Sequence, residues 1–464
     1  MPRTSRREFL TGATLLAGSA LLPKIGFAAE AKRRPNVILC MTDDQGWGDT
    51  GYNGHPVLRT PNLDQMAKDG IRFERFYAGA PVCSPTRASC ITGRHPYRIG
   101  IPYANTGRMK QEEVTLAEAL KPLGYATGHF GKWHLGTLTT KTKDANRGRP
   151  GKTKHYSPPW QNGFDVCFST ESKVPTYWKP GKYDTYGTHY WTGTEEMVPS
   201  KDVRGDDSVL IMNQALPFIR QASKAGTPFL AVIWFHTPHL PVVSAPPYTD
   251  GYEKHKDYYG CITAMDEQMG RLRKELADLG VADDTMLWFC SDNGPEGKNT
   301  APGRTGGLRG RKRSLYEGGV RVPGLMVWPK AVKKARTVSM PCSTSDYFPT
   351  VLAALGHDIP EGKTRPYDGM NLLPAIQGQL SDRPNPIGFE SRNQVSLTGN
   401  RYKIYSKDKG KTYELYDLIE DPGEKTNLAA QHPDIVQRLR QTVETWRQSC
   451  QDSLRGSDYG KRAQ

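Results

Sequence analysis

The sequence predicts an α/β fold, in which a large mixed and mostly parallel sheet is sandwiched by helices. Short, continuously apolar runs at 36–41, 228–235 and 285–290 alternate with stretches of helical periodicity. Such runs are typical of strands buried on both faces of a parallel sheet. From about residue 345 the pattern changes to short strands of antiparallel type and a final amphipathic helix. We therefore expect a main domain at 30–344 and a smaller C-terminal α+β subdomain at 345–464.

The composition is that of a globular protein with a strongly basic surface. The chain has 464 residues, of which 36% are hydrophobic, and this length suffices for a full core. It contains no run of 18 apolar residues, so we expect no transmembrane segment. The net charge of +15 favours polyanionic partners. Because the basic residues are dispersed and form no nucleic-acid motif, we expect acidic glycans and no nucleic acid.

Residues 1–29 read as a targeting segment. Arg3, Arg6 and Arg7 precede an apolar stretch, and small residues follow it at a candidate cleavage site. The sequence 5–10 resembles the twin-arginine export box. We therefore expect a twin-arginine signal peptide, export by the twin-arginine translocase, and a periplasmic or secreted mature protein.

The first predicted strand leads into two adjacent carboxylates, Asp43 and Asp44. Neighbouring carboxylates repel each other, so a cation must offset them or one pKa rises. A hard divalent cation with oxygen ligands is the natural partner, although a plain Asp-rich turn is the alternative. The strand at 285–290 leads likewise into Asp292 and Asn293. Since ligands of open α/β sheets bind beyond the carboxyl ends of the strands, we expect these groups to converge.

Residues 83–92 predict a short helix that begins at Cys83. Pro85 suits the first helical position and Gly93 suits the residue after the last. Cys83 would then lie at the positive end of the helix dipole, where anions bind, with Arg87 one turn on. A small buried hydrophobic residue and a thiolate nucleophile are both open interpretations of Cys83. The eight cysteines form no C-x-x-C pair, which argues against a zinc ribbon or a disulfide scaffold.

Further polar residues follow the other strands. Lys132 and His134 are two apart, so on an extended segment both point the same way. The buried strand at 228–235 precedes His236 and His239, and Lys312 lies in a basic, Gly-rich segment. Each of these signals is weak alone.

Residues 137–205 form an irregular region that is rich in Lys, Gly, Pro and aromatic residues. Long irregular stretches in compact domains are often binding loops. The aromatic side chains either stack on sugar rings or pack the region onto the body of the domain. They include Trp160, Trp178, Tyr183, Tyr186, Tyr190 and Trp191.

Two motifs together resemble the type I sulfatases of the alkaline phosphatase superfamily. One is Cys83-x-Pro85-x-Arg87 followed by Thr-Gly-Arg at 92–94, and the other is Gly-Lys-Trp-His-Leu-Gly at 131–136. The resemblance extends from about residue 36 to 428 and implies an alkaline-phosphatase-like fold. It implies that a formylglycine-generating or sulfatase-maturating enzyme oxidises Cys83 to formylglycine, whose hydrate attacks sulfur. Cys90 departs from the family, which more often has a large aliphatic residue there.

The resemblance also implies roles for individual residues. The implied ligands of a Ca²⁺ ion, preferred over Mg²⁺, are Asp43, Asp44, Asp292, Asn293 and the modified Cys83. Among the implied catalytic residues, Cys83 supplies the nucleophile after oxidation and Arg87 positions the aldehyde hydrate. His134 takes a proton. The sulfate is bound by three further residues, Lys132, His239 and Lys312. His236 is a second candidate for the substrate-side histidine. The family's active-site serine is not located by these motifs.

We therefore expect a sulfuric ester hydrolase that acts on a sulfated sugar or polysaccharide. The alternative is a phosphonate or phosphate ester hydrolase of the same superfamily with the same formylglycine. A distant alternative is a non-catalytic protein that binds sulfated glycans, although none of the expected metal or Lys/His residues is missing.

Overall fold

The computed structural model describes residues 34–179, 187–193, 195–199, 202–357 and 365–459. The predicted signal peptide at 1–29, as well as Tyr183 and Tyr186, lies outside the described residues. Within the described ranges, no helix has both the length and the hydropathy needed to cross a membrane.

The structure contains strands of two to seven residues. They are β1 (Asn36–Thr42), β2 (Ile71–Phe73), β3 (Phe76–Tyr77), β4 (Ala126–Lys132), β5 (Val166–Thr170), β6 (Tyr177–Trp178), β7 (Trp191–Thr192), β8 (Glu196–Met197), β9 (Gly205–Asp206), β10 (Phe229–Trp234), β11 (Thr285–Ser291), β12 (Arg321–Val322), β13 (Gly324–Val327), β14 (Arg336–Val338), β15 (Cys342–Ser343), β16 (Ile387–Ser391), β17 (Gln394–Thr398), β18 (Tyr402–Ser406) and β19 (Glu414–Asp417).

The α-helices alternate with these strands. They are α1 (Pro61–Asp69), α2 (Cys83–Thr92), α3 (Pro96–Ile99), α4 (Leu116–Leu120), α5 (Asp207–Lys224), α6 (Lys256–Asp278), α7 (Glu317–Val320), α8 (Tyr347–Ala354), α9 (Leu373–Ile376) and α10 (Pro433–Leu454).

The main sheet has ten strands in the order β14-β2-β13-β11-β1-β10-β4-β5-β7-β8. Its five central strands, β11, β1, β10, β4 and β5, are mutually parallel, whereas β13 runs antiparallel to both of its neighbours, β11 and β2. All seven residues of β1 are buried, as expected of a strand with helices on both faces. The predicted mixed, mostly parallel sheet is confirmed.

Each face of this sheet has its own hydrophobic core. Along β1, Leu39 packs into the core that contains α2 and α8, whereas Ile38 and Cys40 pack into the core that contains α5 and α6. This alternation follows from the two-residue period of a strand. Cys90 is fully buried in the first core, so its departure from the family pattern concerns packing.

A separate four-stranded antiparallel sheet, in the order β16-β17-β18-β19, follows in the C-terminal region. The predicted short antiparallel strands are therefore present in this region. Val443 of α10 packs against Val395, Leu397 and Ile404 of this sheet, so the predicted terminal helix covers one face. The domain boundary at residue 345 stays a prediction.

Candidate active site

The candidate site lies at the carboxyl ends of three parallel strands of the main sheet. β1 leads into Asp43 and Asp44, β11 leads into Asp292 and Asn293, and β4 ends at Lys132. Because β1 lies beside β11 and one strand from β4, their carboxyl ends bring these side chains together. The predicted convergence is therefore present.

Cys83 is the first residue of α2 and faces this group. Its Sγ lies 3.4 Å from Asp43 Oδ1, and the residue is buried. Pro85 is the third helical residue, not the first as predicted, but the N–H groups of the whole first turn lack helical partners, so it costs no bond there. Gly93 ends the helix in the left-handed conformation, with φ 69°, as predicted.

The surroundings of Cys83 do not favour a thiolate. Burial raises the pKa of the Cys83 thiol, and the carboxylates of Asp292 and Asp43 raise it further. Lys132 and Lys312 oppose this shift without cancelling it. The unmodified thiol is therefore a poor nucleophile in this site, which removes the reason for the thiolate interpretation.

Arg87 joins α2 to both strands that flank the site. Its Nε and Nη2 donate to Asp292 Oδ2 at 3.1 and 2.7 Å, and its Nη1 donates to the Lys132 carbonyl at 2.8 Å. The side chain is fully buried, and Nη2 also lies 3.5 Å from Asp43. Arg87 thus fixes the position of Cys83 relative to the carboxylates.

Two lysines neutralise the paired aspartates. Lys132 Nζ donates to Asp43, and Lys312 Nζ lies 2.7 Å from Asp44 and 3.4 Å from Glu296. Burial opposes the charge on both lysines, but the carboxylates prevail and raise their pKa values. Both therefore remain cations that can hold a sulfate.

The pKa values of Asp43 and Asp292 are shifted in opposite directions. Burial opposes ionisation of Asp43, but the nearby cations, Lys132 first, hold its pKa well below the usual range. Burial and the charge of Asp43 raise the pKa of Asp292 to about 7. A further cation would relieve this repulsion.

The donor set fits a hard divalent ion. Ligand atoms of Asp43, Asp44, Cys83 and His239 lie within 4.8 Å of one another. Asn293 Nδ2 donates to Asp44 at 2.6 Å, while its buried Oδ1 has no hydrogen-bond partner. An unpartnered amide oxygen beside clustered carboxylates is the arrangement that such ions prefer.

His134 and His239 face the same cavity in different states. His134 Nε2 lies 3.0 Å from Asn105 Oδ1, whereas its buried Nδ1 has no partner. Burial and the charges of Lys132 and Arg147 hold the pKa of His134 well below its usual range. His239 Nδ1 donates to the Leu240 carbonyl, and burial lowers the pKa of His239 to about 4.

His236 is not brought into the cavity. It is fully buried, its Nδ1 lies 3.0 Å from Asp207, and its Nε2 lies 2.8 Å from Thr170 Oγ1. With both ring nitrogens engaged, His236 has no free group for a substrate.

The cavity has a volume of about 290 Å³ and contains residues that the sequence motifs did not indicate. Asn105, Asn146, Lys173, Glu296 and Arg313 line it beside the predicted groups. Glu296 follows Asp292 by four residues in the same strand-end loop, so its place could have been suspected. Asn105 gives no such signal, because its loop reaches the site only through the tertiary fold.

Most described aromatic residues of 137–205 pack inward. Tyr190 and Trp191 are buried, and Trp160 packs against the core.

All eight cysteines of the chain are buried and free.

Comparison with known proteins identifies the fold and the chemistry. The family described as "Sulfatase" matches residues 35–357, and the family "N-sulphoglucosamine sulphohydrolase, C-terminal" matches residues 310–449. The chain is 32% identical to N-acetylgalactosamine-6-sulfatase of Canis lupus familiaris, over 90% of this chain and 86% of the relative. It is 29% identical to arylsulfatase A of Homo sapiens, over 92% and 90%.

Solved structures with a similar fold are consistent with the sequence comparison. The structure of Ps i-CgsB in complex with k-i-k-neocarrahexaose superposes with a TM-score of 0.76 at 27% identity, covering 89% of this chain and 92% of the other. The phosphonate monoester hydrolase of Agrobacterium radiobacter has a TM-score of 0.66 at 21% identity, covering 90% and 96%, and that similarity concerns the fold alone.

Proposed function

Because this chain belongs to the sulfatase family and is a sulfuric ester hydrolase, we propose that it removes sulfate from a sulfated sugar or polysaccharide with an oxidised Cys83 and a bound Ca²⁺. The observation that carries the proposal is the clustering of Cys83 with Asp43, Asp44 and His239. A glycan substrate is supported by the sugar sulfatase among its relatives and by the oligosaccharide complex among its structural neighbours.

In this proposal Asp43, Asp44, Asp292, Asn293 and the side chain at position 83 hold the Ca²⁺. The ion would offset the negative charge of the carboxylates and of the bound sulfate. The hydrated aldehyde of formylglycine would supply the oxygen nucleophile that the buried thiol cannot.

The remaining groups bind the sulfate and move protons. Lys132 and Lys312 hold the sulfate oxygens, since both Nζ atoms face the cavity beside the carboxylates. His134 accepts a proton at Nδ1, which is the ring nitrogen that no other group uses. His239 lies 3.7 Å from Asp44, and the negative charge of a bound ester would raise its pKa and let it protonate the leaving alcohol.

The test is turnover of sulfate esters by a Cys83→Ala variant. We expect loss of activity, and mass analysis of the wild-type peptide should show an aldehyde at position 83. The matched control is Cys90→Val, a buried cysteine of the same helix that lacks contact with the carboxylates. Full activity of Cys83→Ala would refute the proposal, and faster turnover of a phosphonate or phosphate ester would favour the alternative hydrolase.

We also propose export through the twin-arginine translocase after a maturation enzyme has acted on Cys83. The support is the Arg6-Arg7 pair within residues 1–29. An Arg6→Lys/Arg7→Lys variant should stay in the cytoplasm, whereas the wild-type protein should be found in the periplasm or the medium. Equal export of both would refute this part.

A further inference from the structure

A groove leads away from the catalytic cavity through two adjoining cavities. Leu240 and Glu296 line both the catalytic cavity and a second one of about 520 Å³. His255, together with Ala301, Pro302 and Gly303, lines both the second cavity and a third one of about 550 Å³. Because neighbouring cavities share lining residues, the three adjoin one another in this order.

The second cavity offers mainly apolar and ring surfaces. Pro238, Leu240, Val242, Ala301 and Pro302 contribute to its walls. The charged residues of its lining are Asp44, Lys256, Asp257 and Glu296. Glu296 is neutralised by Arg313, whose Nη atoms donate at 2.6 and 2.8 Å, and by Lys312. Such a surface suits the apolar face of a sugar ring.

The third cavity is lined by three arginines on a Gly-rich turn, Arg304, Arg309 and Arg311. Among the described residues, none of the three forms an ion pair with a carboxylate, in contrast to Arg87, Arg98 and Arg383. The approach of a chain is open beside Gly307, where an added Cβ would meet no atom within 4 Å. Unpaired guanidinium groups in a concave surface attract anions.

Two of these arginines are held in place by neutral groups. Arg311 donates to the carbonyls of Gly303 and Glu296 at 2.8 and 2.9 Å, and its buried Nε has no acceptor. Arg309 lies 3.8 Å above the ring of Tyr316 and donates to Tyr416 Oη at 2.9 Å. Arg304 is exposed; its backbone N–H donates to Asp49 and its carbonyl accepts from Gly48, whereas its guanidinium forms no hydrogen bond with the described residues. Arg309 and Arg311 are therefore ordered, and the cluster keeps its charge for a ligand.

We propose that this groove binds a glycan of more than one sugar that carries a second anionic group. The ester to be cleaved lies at Cys83, the next ring packs on the walls around Leu240 and Pro302, and a second sulfate or carboxylate pairs with Arg304, Arg309 and Arg311. The proposal rests on the proposed function and narrows its substrate class to polyanionic oligosaccharides.

The test compares three defined tetrasaccharides that share one cleavable sulfate ester and carry a second sulfate, a second carboxylate or no second anion. For the substrate with a second sulfate, we expect Arg304→Ala to raise KM about tenfold, or about 1.4 kcal/mol. Arg304→Lys should restore most of this loss, and KM for the substrate without a second anion should change less than about twofold. The substrate with a second carboxylate shows which anion the arginine cluster prefers. If Arg304→Ala raises KM more for this substrate than for the one with a second sulfate, the cluster prefers carboxylate, and if it raises KM less, the cluster prefers sulfate.

Arg438→Ala is the matched control, because Arg438 is exposed on α10, away from the groove. Calorimetric binding of the doubly sulfated tetrasaccharide to Cys83→Ala gives a readout without turnover, and it should weaken when Arg304→Ala is added. Equal effects of Arg304→Ala on all three substrates, or no effect on any, would overturn the subsite while leaving the sulfatase activity in place. Absence of turnover by the wild-type enzyme would instead overturn the proposed function, and calorimetry would still report on the groove.

Discussion

Asn105 offers the sharpest test of the proposed proton transfer. Its Oδ1 lies 3.0 Å from His134 Nε2, and the amide of Asn146 donates to the same oxygen at 3.4 Å, which identifies that oxygen as the acceptor. His134 therefore carries its proton on Nε2 and leaves Nδ1 as the basic nitrogen. Asn105 acts through His134, so we regard it as a positioning residue.

Replacement of Asn105 by Ala removes the acceptor that fixes this tautomer. Because Asn105 is exposed, water can take the place of its oxygen, and the loss is that of one hydrogen bond, about 0.5–1.5 kcal/mol; we therefore expect kcat to fall about 2- to 13-fold. Asn146→Ala is the matched control, because Asn146 lines the same cavity but reaches Asn105 and not His134. Its kcat should change much less.

The Asn105→Asp variant distinguishes a role in positioning His134 from a general loss of structure. A carboxylate beside Nε2 favours the imidazolium and should raise the pKa of His134 by about 1–3 units. His134 must be neutral to accept a proton, so activity is kept above this pKa and lost below it. The acidic limb of the kcat profile should therefore move to higher pH, measured with an aryl sulfate whose phenol product absorbs light. Superimposable acidic limbs for Asn105→Asp and the wild type would refute the reasoning.

Three further outcomes are expected. Chelation of divalent ions should abolish activity and lower Tm, because the metal binds the carboxylate cluster of the folded protein. Added Ca²⁺ should restore both activity and Tm better than Mg²⁺. An unchanged Tm would contradict a bound ion. Lys312→Ala should lower kcat about 10²- to 10³-fold, since one preorganised charge contact is lost, and a change confined to KM would contradict this role. Lys403→Met should lower the free energy of unfolding by about 3–5 kcal/mol, because it leaves Glu317 and Glu424 buried without the lysine that lies 3.0 and 2.9 Å from them. Glu317→Gln and Glu424→Gln, added to Lys403→Met, should recover much of that loss in a denaturant titration.

The sheet and the carboxylate cluster could be predicted because their signals are local. A continuously apolar run predicts a buried strand, and the polar residues directly after it then share one edge of the sheet. The same holds for the helix that begins at Cys83.

Other parts of the site could not be predicted because tertiary packing decides them. His236 and His239 both precede a residue and a proline, so the pattern does not distinguish them. Asp207, at the start of α5, binds His236 and removes it from the cavity. Lys403 meets Glu317 across 86 residues of sequence, a contact set by the docking of the C-terminal sheet beside α7.

The charges of the site favour joint binding of a cation and an anion. Arg87, Lys132 and Lys312 carry three positive charges, and these balance the three carboxylates of Asp43, Asp44 and Asp292 when all are ionised. His239 adds none near neutral pH, because burial lowers its pKa to about 4. A divalent cation alone would leave two uncompensated positive charges in a buried site, and an anion alone would leave negative charge. A sulfate ester carries one negative charge, so its binding beside the cation lowers the excess from two positive charges to one, and by linkage each should strengthen the binding of the other by the same factor. In the proposed site the metal and the substrate sulfate would thus bind cooperatively, which accounts for the basic groups around a cluster of carboxylates.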